Sequence, residues 1–175
     1  DMSPNFVWIK SQSSNSHRLT DSVRGATKVL YTDLTYAEAT DSDTIQSFDT
    51  DWFTLDDDTD TNGDTQNFTA WCWKAGTAFS NDASATSIGT IDSSGSASTD
   101  AGFSIVSWSG TGSTGSLKHG LSTTPSMIIT KSRGSSAWGV YNKHLGNTNV
   151  LFLDTYASTT AHIAYWNNSS PTTSV

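Results

Sequence analysis

Apolar positions in this chain recur at short intervals between clusters of Gly, Asp, Ser and Asn, a pattern typical of strands. Residues 5–10 form a nearly continuous apolar run after Pro4, which predicts a strand covered on both faces. Residues 67–74 alternate with aromatic side chains on both faces, which predicts a central strand with one face packed and the other lining a covered or concave surface. Further short strands are expected near residues 17–23, 28–32, 52–55, 102–108, 126–132, 137–142, 149–154 and 161–166.

The run Pro4–Ser11 returns 121 residues later as Pro125–Ser132. Carried forward without a gap, the same offset pairs Gly25 with Gly146. Chance similarity between two Ser/Thr-rich segments would match hydroxyl residues, whereas Pro, Gly, Lys, Asp and apolar positions match here. We interpret the pattern as an internal duplication.

Many short strands with scarcely a helix predict an all-β fold, an antiparallel β-sandwich of the jelly-roll or concanavalin A-like kind. The duplication divides the chain into a first β module at residues 1–76 and a second, incomplete module at 102–175. Residues 77–101 are either a flexible connection or a pair of short edge strands. Because the second copy ends without a counterpart of residues 53–74, three arrangements stay open: a cut from a longer array, two partial copies combined in one sandwich, or strands supplied by a neighbouring subunit.

The composition favours an extracellular-type β protein, with 34% hydrophobic, 11% aromatic and only 15% charged residues. A formal charge of −8 without any Lys/Arg cluster argues against nucleic-acid binding. No apolar run approaches the roughly 20 residues of a membrane span, so no membrane insertion is expected. The single cysteine, Cys72, excludes a disulfide within the chain.

The acidic segment between residues 56 and 64 places oxygen side chains at alternate positions around a glycine, which resembles the first half of a calcium-binding loop. The twelfth position of that pattern is a threonine, and no helices flank it. The alternative is an Asx-rich turn whose carboxylates point into water. The candidate calcium ligands are Asp58, Asp60, Asn62 and Asp64.

Enzyme chemistry finds little support, because Glu38 is the single glutamate and the paired glutamates of laminarinase-type sandwich glycosidases cannot be assembled. The seven tryptophans are the remaining resource, since flat aromatic faces stack on the apolar face of a pyranose. Trp8 and Trp71 are expected to be core residues. Three others, beside Asp, Gly and Asn residues, are expected to be exposed and, with one asparagine, are the candidate ligand residues: Trp52, Trp138, Trp166 and Asn142.

Several segments, taken in order, resemble the repeated modules of virion tail or fibre proteins encoded by marine bacteriophages, which are similar to concanavalin A-like lectin sandwiches. The resemblance implies a virion or extracellular location, partners that are copies of the chain or other particle proteins, and contact with a cell-surface glycan. It brings no catalytic residues. The segments are Pro4–Ser11, Asp21–Ala26, Asn62–Gly76, Gly102–Val106 and His119–Leu121.

The sequence therefore predicts a non-enzymatic surface protein that works by assembly and glycan recognition. The alternatives are a polysaccharide-degrading sandwich enzyme and a purely structural filament or decoration subunit.

Overall fold

The computed structural model describes residues 2–156 and 158–175. It is almost entirely β, with 36% strand and 5% helix, and its sheets are antiparallel. The predicted all-β class with almost no helix is confirmed, and the sheets are consistent with a β-sandwich. The elements are β1 (Phe6–Ser11), β2 (Arg18–Asp21), β3 (Gly25–Leu30), β4 (Ala39–Thr40), β5 (Ile45–Phe48), β6 (Phe53–Leu55), α1 (Thr59–Asn62), β7 (Phe68–Trp73), β8 (Thr77–Asn81), α2 (Ala83–Thr86), β9 (Ser93–Ser98), β10 (Phe103–Trp108), β11 (Met127–Thr130), β12 (Gly139–Asn142), β13 (Asn149–Phe152) and β14 (Thr160–Ala161).

The chain folds into two compact units, and neither is one continuous stretch of sequence. Two short pieces of the predicted second module, 102–175, belong to the first unit because they pack with residues from the start of the chain. Unit 1 consists of Asp1–Lys74, Thr130–Gly139 and Phe152–Tyr156, and unit 2 of Ala75–Ile129, Val140–Leu151 and Ala157–Val175.

Unit 1 contains a five-stranded sheet in the order β4-β3-β2-β1-β7 and the two-stranded hairpin β5-β6. Val7 and Ile9, two positions apart on β1, point to one face and are almost completely buried. They form a core with Ile45 of the hairpin, and Phe48 and Phe53 pack against it. The hairpin therefore covers one face of the sheet, as in a sandwich.

The opposite face of the same sheet carries a second core. Leu19 of β2, Leu30 of β3 and Trp138 form it, with Phe6 and Leu153 packed at its border.

Strand β7 is the outermost strand of its sheet, beside β1. The prediction of a central strand at 67–74 is wrong in this respect, although the strand itself and its two aromatic faces are present.

Unit 2 contains a three-stranded sheet in the order β10-β9-β8. Two of its strands, β8 and β9, lie in residues 77–101, so that segment is structured rather than a flexible connection. Gly95 on β9 faces the backbone of β10 so closely that an added Cβ would lie 2.1 Å from the oxygen of Ile105. Only a residue without a side chain fits there.

The four-stranded sheet β11-β12-β13-β14 has the strand order of β1-β2-β3-β4, and the 121-residue offset relates the two sets. The correspondence extends to polar contacts. The backbone N–H of His17 donates to the Asp33 carboxylate (3.1 Å), and that of Trp138 donates to Asp154 (3.0 Å). Lys10 and Lys131 each donate from Nζ to carbonyls of the turn that follows their strand.

Candidate functional site

Four aromatic side chains lie side by side on one face of β1 and β7. The strand register places Phe6 opposite Trp73 and Trp8 opposite Trp71. The first pair meets edge to face, with ring centroids 5.2 Å apart, and the second is tilted with centroids 5.9 Å apart. We call Phe6, Trp8, Trp71 and Trp73 the aromatic ladder. Such cross-strand aromatic pairs also stabilise the strand pairing.

The outer half of the aromatic ladder is open to solvent. Trp71 is 46% exposed and Trp73 is 38% exposed, whereas Phe6 and Trp8 are partly buried beneath the same face. The two exposed rings are two residues apart on a strand, which sets their Cα atoms about 6.7 Å from each other. One strand therefore presents two indole rings side by side.

His17 lies beside the inner end of the aromatic ladder. The indole N–H of Trp8 donates to Nδ1 of His17 at 3.3 Å, and the ring centroids are 6.0 Å apart. Burial lowers the pKa of His17, while the charge of Asp33 works in the opposite direction. The hydrogen bond and the lowered pKa agree, because Nδ1 can accept only when it carries no proton.

Of the candidate ligand residues in unit 1, Trp52 lies in the turn of the β5-β6 hairpin and is 60% exposed. Trp138 is 3% exposed, and its indole N–H donates to the carbonyls of Tyr31 (2.8 Å) and Leu34 (3.2 Å). The prediction of an exposed Trp138 is wrong, since the side chain belongs to the second core of unit 1.

In unit 2, Trp166 is partly buried against Tyr141, and its indole N–H donates to the Asn149 carbonyl at 3.0 Å. It also lines an open cleft of about 510 Å³ with Trp108, which is 42% exposed, and the Gly/Ser/Thr loop at residues 110–115.

Asn142 closes a turn at the end of β12. Its side-chain oxygen accepts the His144 N–H at 2.9 Å, and its backbone oxygen accepts the N–H groups of Leu145 and Gly146. Asn142 is not among the residues lining the Trp166 cleft.

A family model described as "Domain of unknown function (DUF7483)" matches residues 1–175. The chain belongs to the DUF7483 family. No curated protein and no solved structure matches it. The described residues of this DUF7483 domain contain no helix long and apolar enough to cross a membrane.

The four candidate calcium ligands do not converge in the DUF7483 domain. Asp58 caps the short helix α1 by accepting the N–H of Asp60, and both carboxylates form ion pairs with Arg18. The side-chain amide of Asn62 donates to the Asp56 carbonyl at 2.9 Å, and Asp64 is exposed beyond the helix.

Within the part of the chain that the structure describes, no group of three or more His, Cys, Asp or Glu side chains could hold a metal ion. Arg18 provides a positive charge beside Asp58 and Asp60. Burial raises the pKa of Asp58, although the Asp60 N–H and Arg18 counteract it.

The lone glutamate of the DUF7483 domain has a structural position. Glu38 accepts from Arg24 at 3.1 Å and from Arg133 at 2.5 to 3.0 Å. Arg24 also donates to Asp21 at 2.6 Å, and the side chains of Arg24, Asp21 and Glu38 are less than one tenth exposed. Burial would raise the pKa of Glu38, but the hydrogen bonds from Arg133 and Arg24 outweigh it and lower that pKa.

The sequence reasoning missed two ligand candidates, Trp71 and Trp73. The prediction that Trp71 is a core residue is wrong, because its side chain is 46% exposed. The sequence does contain evidence for this pair. Trp71 and Trp73 are two positions apart in the predicted strand at 67–74, so both indoles lie on the same face.

Proposed function

We propose that this DUF7483 domain is a non-enzymatic surface protein that binds glycan chains on the aromatic ladder. One observation carries the proposal: Trp71 and Trp73 are both substantially exposed on one face of one strand. Adjacent exposed apolar side chains often mark a binding surface, and the flat faces of indoles match the apolar C–H face of a pyranose. The strand holds both rings in place before a ligand arrives, which reduces the entropy lost on binding.

The charge of the chain favours an uncharged glycan. A net charge of −8 repels polyanions such as sulfated or uronic polysaccharides. The nearest cation on this face of β1, Lys10, already donates from Nζ to the carbonyls of Ser11 and Ser13. The class of ligand that the aromatic ladder suits is therefore a neutral polysaccharide or cell-surface oligosaccharide.

A virion or other extracellular location, with particle proteins or copies of the chain as partners, belongs to the same proposal. Its support is the resemblance of the sequence segments described above to virion tail or fibre modules.

The test is a glycan array followed by titration of the best ligand against three variants. Trp71→Ala and Trp73→Ala should each weaken binding roughly 2- to 12-fold, as expected when one stacking contact of about 0.5–1.5 kcal/mol is lost. Trp52→Ala is the matched control, because it removes an equally large and more exposed indole of unit 1 at the β5-β6 turn. Equal losses in all three variants, or no glycan bound by the wild type, would refute the proposal.

Two further measurements separate the alternatives. Release of reducing sugar from a bound polysaccharide would favour the enzyme over the binding protein. Binding that is lost in Trp108→Ala and unchanged in Trp71→Ala would assign recognition to the cleft of unit 2 instead.

A further inference from the structure

Strand β11 has an open edge where its counterpart in the first copy has a partner. In the first copy, β1 lies between β2 and β7, and in the second copy β11 is the last strand of its sheet, beside β12. Among the described residues, β12 is hydrogen-bonded to one edge of β11, and no strand of the same sheet is hydrogen-bonded to its other edge. Backbone donors and acceptors at such an edge are a template for another strand.

The length of β11 reflects the same difference. Strand β1 continues to Ser11, and its last two residues pair with β7 but not with β2. Strand β11 stops at Thr130, the counterpart of Ile9, where the pairing of β1 with β2 also stops.

The side chains on β11 are exposed at the equivalent positions. Met127 is 58% exposed and Ile129 is 40% exposed. Their counterparts, Phe6 and Trp8, are partly buried because aromatic side chains of β7 lie opposite them. Two large apolar side chains in an uncharged strand are thus left in water.

The backbone of these two residues faces the open edge. The Ser126 carbonyl accepts the N–H of Lys143, next to β12, just as the Asn5 carbonyl accepts the N–H of Ser22 in the first copy. Successive residues of a strand direct their N–H and C=O groups to alternate edges. Met127 and Ile129 consequently direct theirs away from β12.

We propose that a second copy of this chain pairs its β11 antiparallel to this open edge. A two-fold axis through Ile128 places Met127 opposite the partner subunit's Ile129, and Ile129 opposite the partner subunit's Met127. Both residues of each pair then direct their backbone groups at each other, and the apolar side chains meet on the same face. A closed two-fold pair arises because the strand is complementary to itself.

Self-complementarity favours a second copy over an unrelated strand. None of the four residues of β11 is charged, so two copies do not repel each other. Lys131, which follows β11 directly, donates from Nζ to the carbonyls of Ser132 and Gly134 at 2.8 Å each. Many edge strands carry a charged side chain that opposes pairing with another strand, and Lys131 is not positioned to do so here.

The first test is the molar mass measured by light scattering and sedimentation over a wide range of concentrations. The wild type should approach twice the monomer mass as concentration rises, and Met127→Lys/Ile129→Lys should remain monomeric throughout. Ile163→Lys is the control, since it adds a charge at another exposed isoleucine of unit 2, and it should dimerise as the wild type does. A wild type that is monomeric at every concentration, or self-association unaffected by the double variant, would overturn the proposal.

The second test checks the register without relying on destabilised variants. Met127→Cys and Ile129→Cys chains are oxidised separately and as a mixture. The proposed pairing brings Cα atoms of positions 127 and 129 to about 5.5 Å, within disulfide range, while like positions remain about 7–8 Å apart or more. The mixture should give a disulfide-linked dimer and each variant alone should not. Cross-linking in the separate samples, or none in the mixture, would contradict the register.

Discussion

Replacing Arg24 by methionine should strongly destabilise unit 1. The Arg24 side chain is 7% exposed and donates to two buried carboxylates and to the carbonyls of Leu19 and Lys28, both at 3.2 Å. Methionine fills much of the same space but leaves these groups without that donor. Asp21 is the more affected carboxylate, because its side chain is 4% exposed and Arg24 is its ion-pair partner.

The expected loss of unfolding free energy depends on the hydrogen bonds that Asp21 and Glu38 keep after the substitution. Removing one partner of a buried ion pair costs about 3–5 kcal/mol. Glu38 keeps Arg133, and one oxygen of Asp21 keeps the N–H groups of Val23 and Arg24, so the lower end, about 3 kcal/mol, is expected. That loss corresponds to roughly 6–12 °C in melting temperature for a chain of this size.

The assay is urea unfolding of the variant beside Arg133→Met. Arg133 binds the same Glu38, but its side chain is 55% exposed, so its loss should cost about 0–1 kcal/mol. The urea midpoint of Arg24→Met should fall by about 1–2 M, and that of the control by less than about half as much. Equal effects of the two substitutions would refute the assignment of the buried charge centre to Arg24.

The pH dependence of this loss has a definite sign. Glu38 has a lower pKa in the folded state than its ordinary value of 4.5, so it stabilises the fold above that value and loses the contribution as the pH falls through the folded pKa. The difference between wild type and Arg24→Met should therefore be largest near neutral pH and shrink in acid.

The remaining predictions concern His17 and the acidic turn. The pKa of His17 in the folded state lies below 6.5, so its stabilising contribution is present above that pH and is lost as the pH falls toward the folded pKa. The urea midpoint of the wild type should therefore fall between about pH 7.5 and about pH 5.5, and His17→Gln should make this fall smaller. The calcium hypothesis requires a lower melting temperature in chelator than in calcium. With Arg18 beside Asp58 and Asp60, we expect identical curves, and Asp58→Asn/Asp60→Asn should lower the melting temperature in both solutions.

Local sequence was sufficient for most strands but not for the neighbours of each strand. It did not predict β4 or β5, and the strand expected at residues 161–166 is only Thr160–Ala161. The 67–74 segment shows the limit: its alternation predicts two aromatic faces correctly, because side chains of a strand alternate regardless of what lies beside it. Its place at the edge of the sheet depends on pairing with residues 6–11, about sixty positions away along the chain. The alternation of residues along one strand does not predict which distant strand pairs with it.

The predictions for Trp138 and Trp71 were wrong for the same reason, whereas Trp52 is exposed as predicted. Trp138 has Gly139 beside it in the chain, which favours a surface position, yet it is buried by Leu19 and Leu30 and by carbonyls more than one hundred residues earlier. Trp71, within an apolar strand, is exposed because no element of the described residues covers most of that end of the sheet face. Burial is set by which element packs on a face, and only the fold decides that.

The duplication explains why the two proposals involve different copies. At equivalent positions the first copy has Trp8 and the second has Ile129, so only the first can build the aromatic ladder with β7. In that copy β7 also covers the edge of β1, which removes it as a pairing site. Among the described residues, the second copy has neither the indole nor a covering strand in its sheet, so this edge is open for the pairing that we propose. The presence of β7 beside β1 thus accounts for the aromatic ladder, and the lack of such a strand beside β11 accounts for the open edge. The two proposals can be tested separately, because they involve different residues. Trp71→Ala should leave the dimer intact, and Met127→Lys/Ile129→Lys should leave the affinity of each subunit for glycan unchanged.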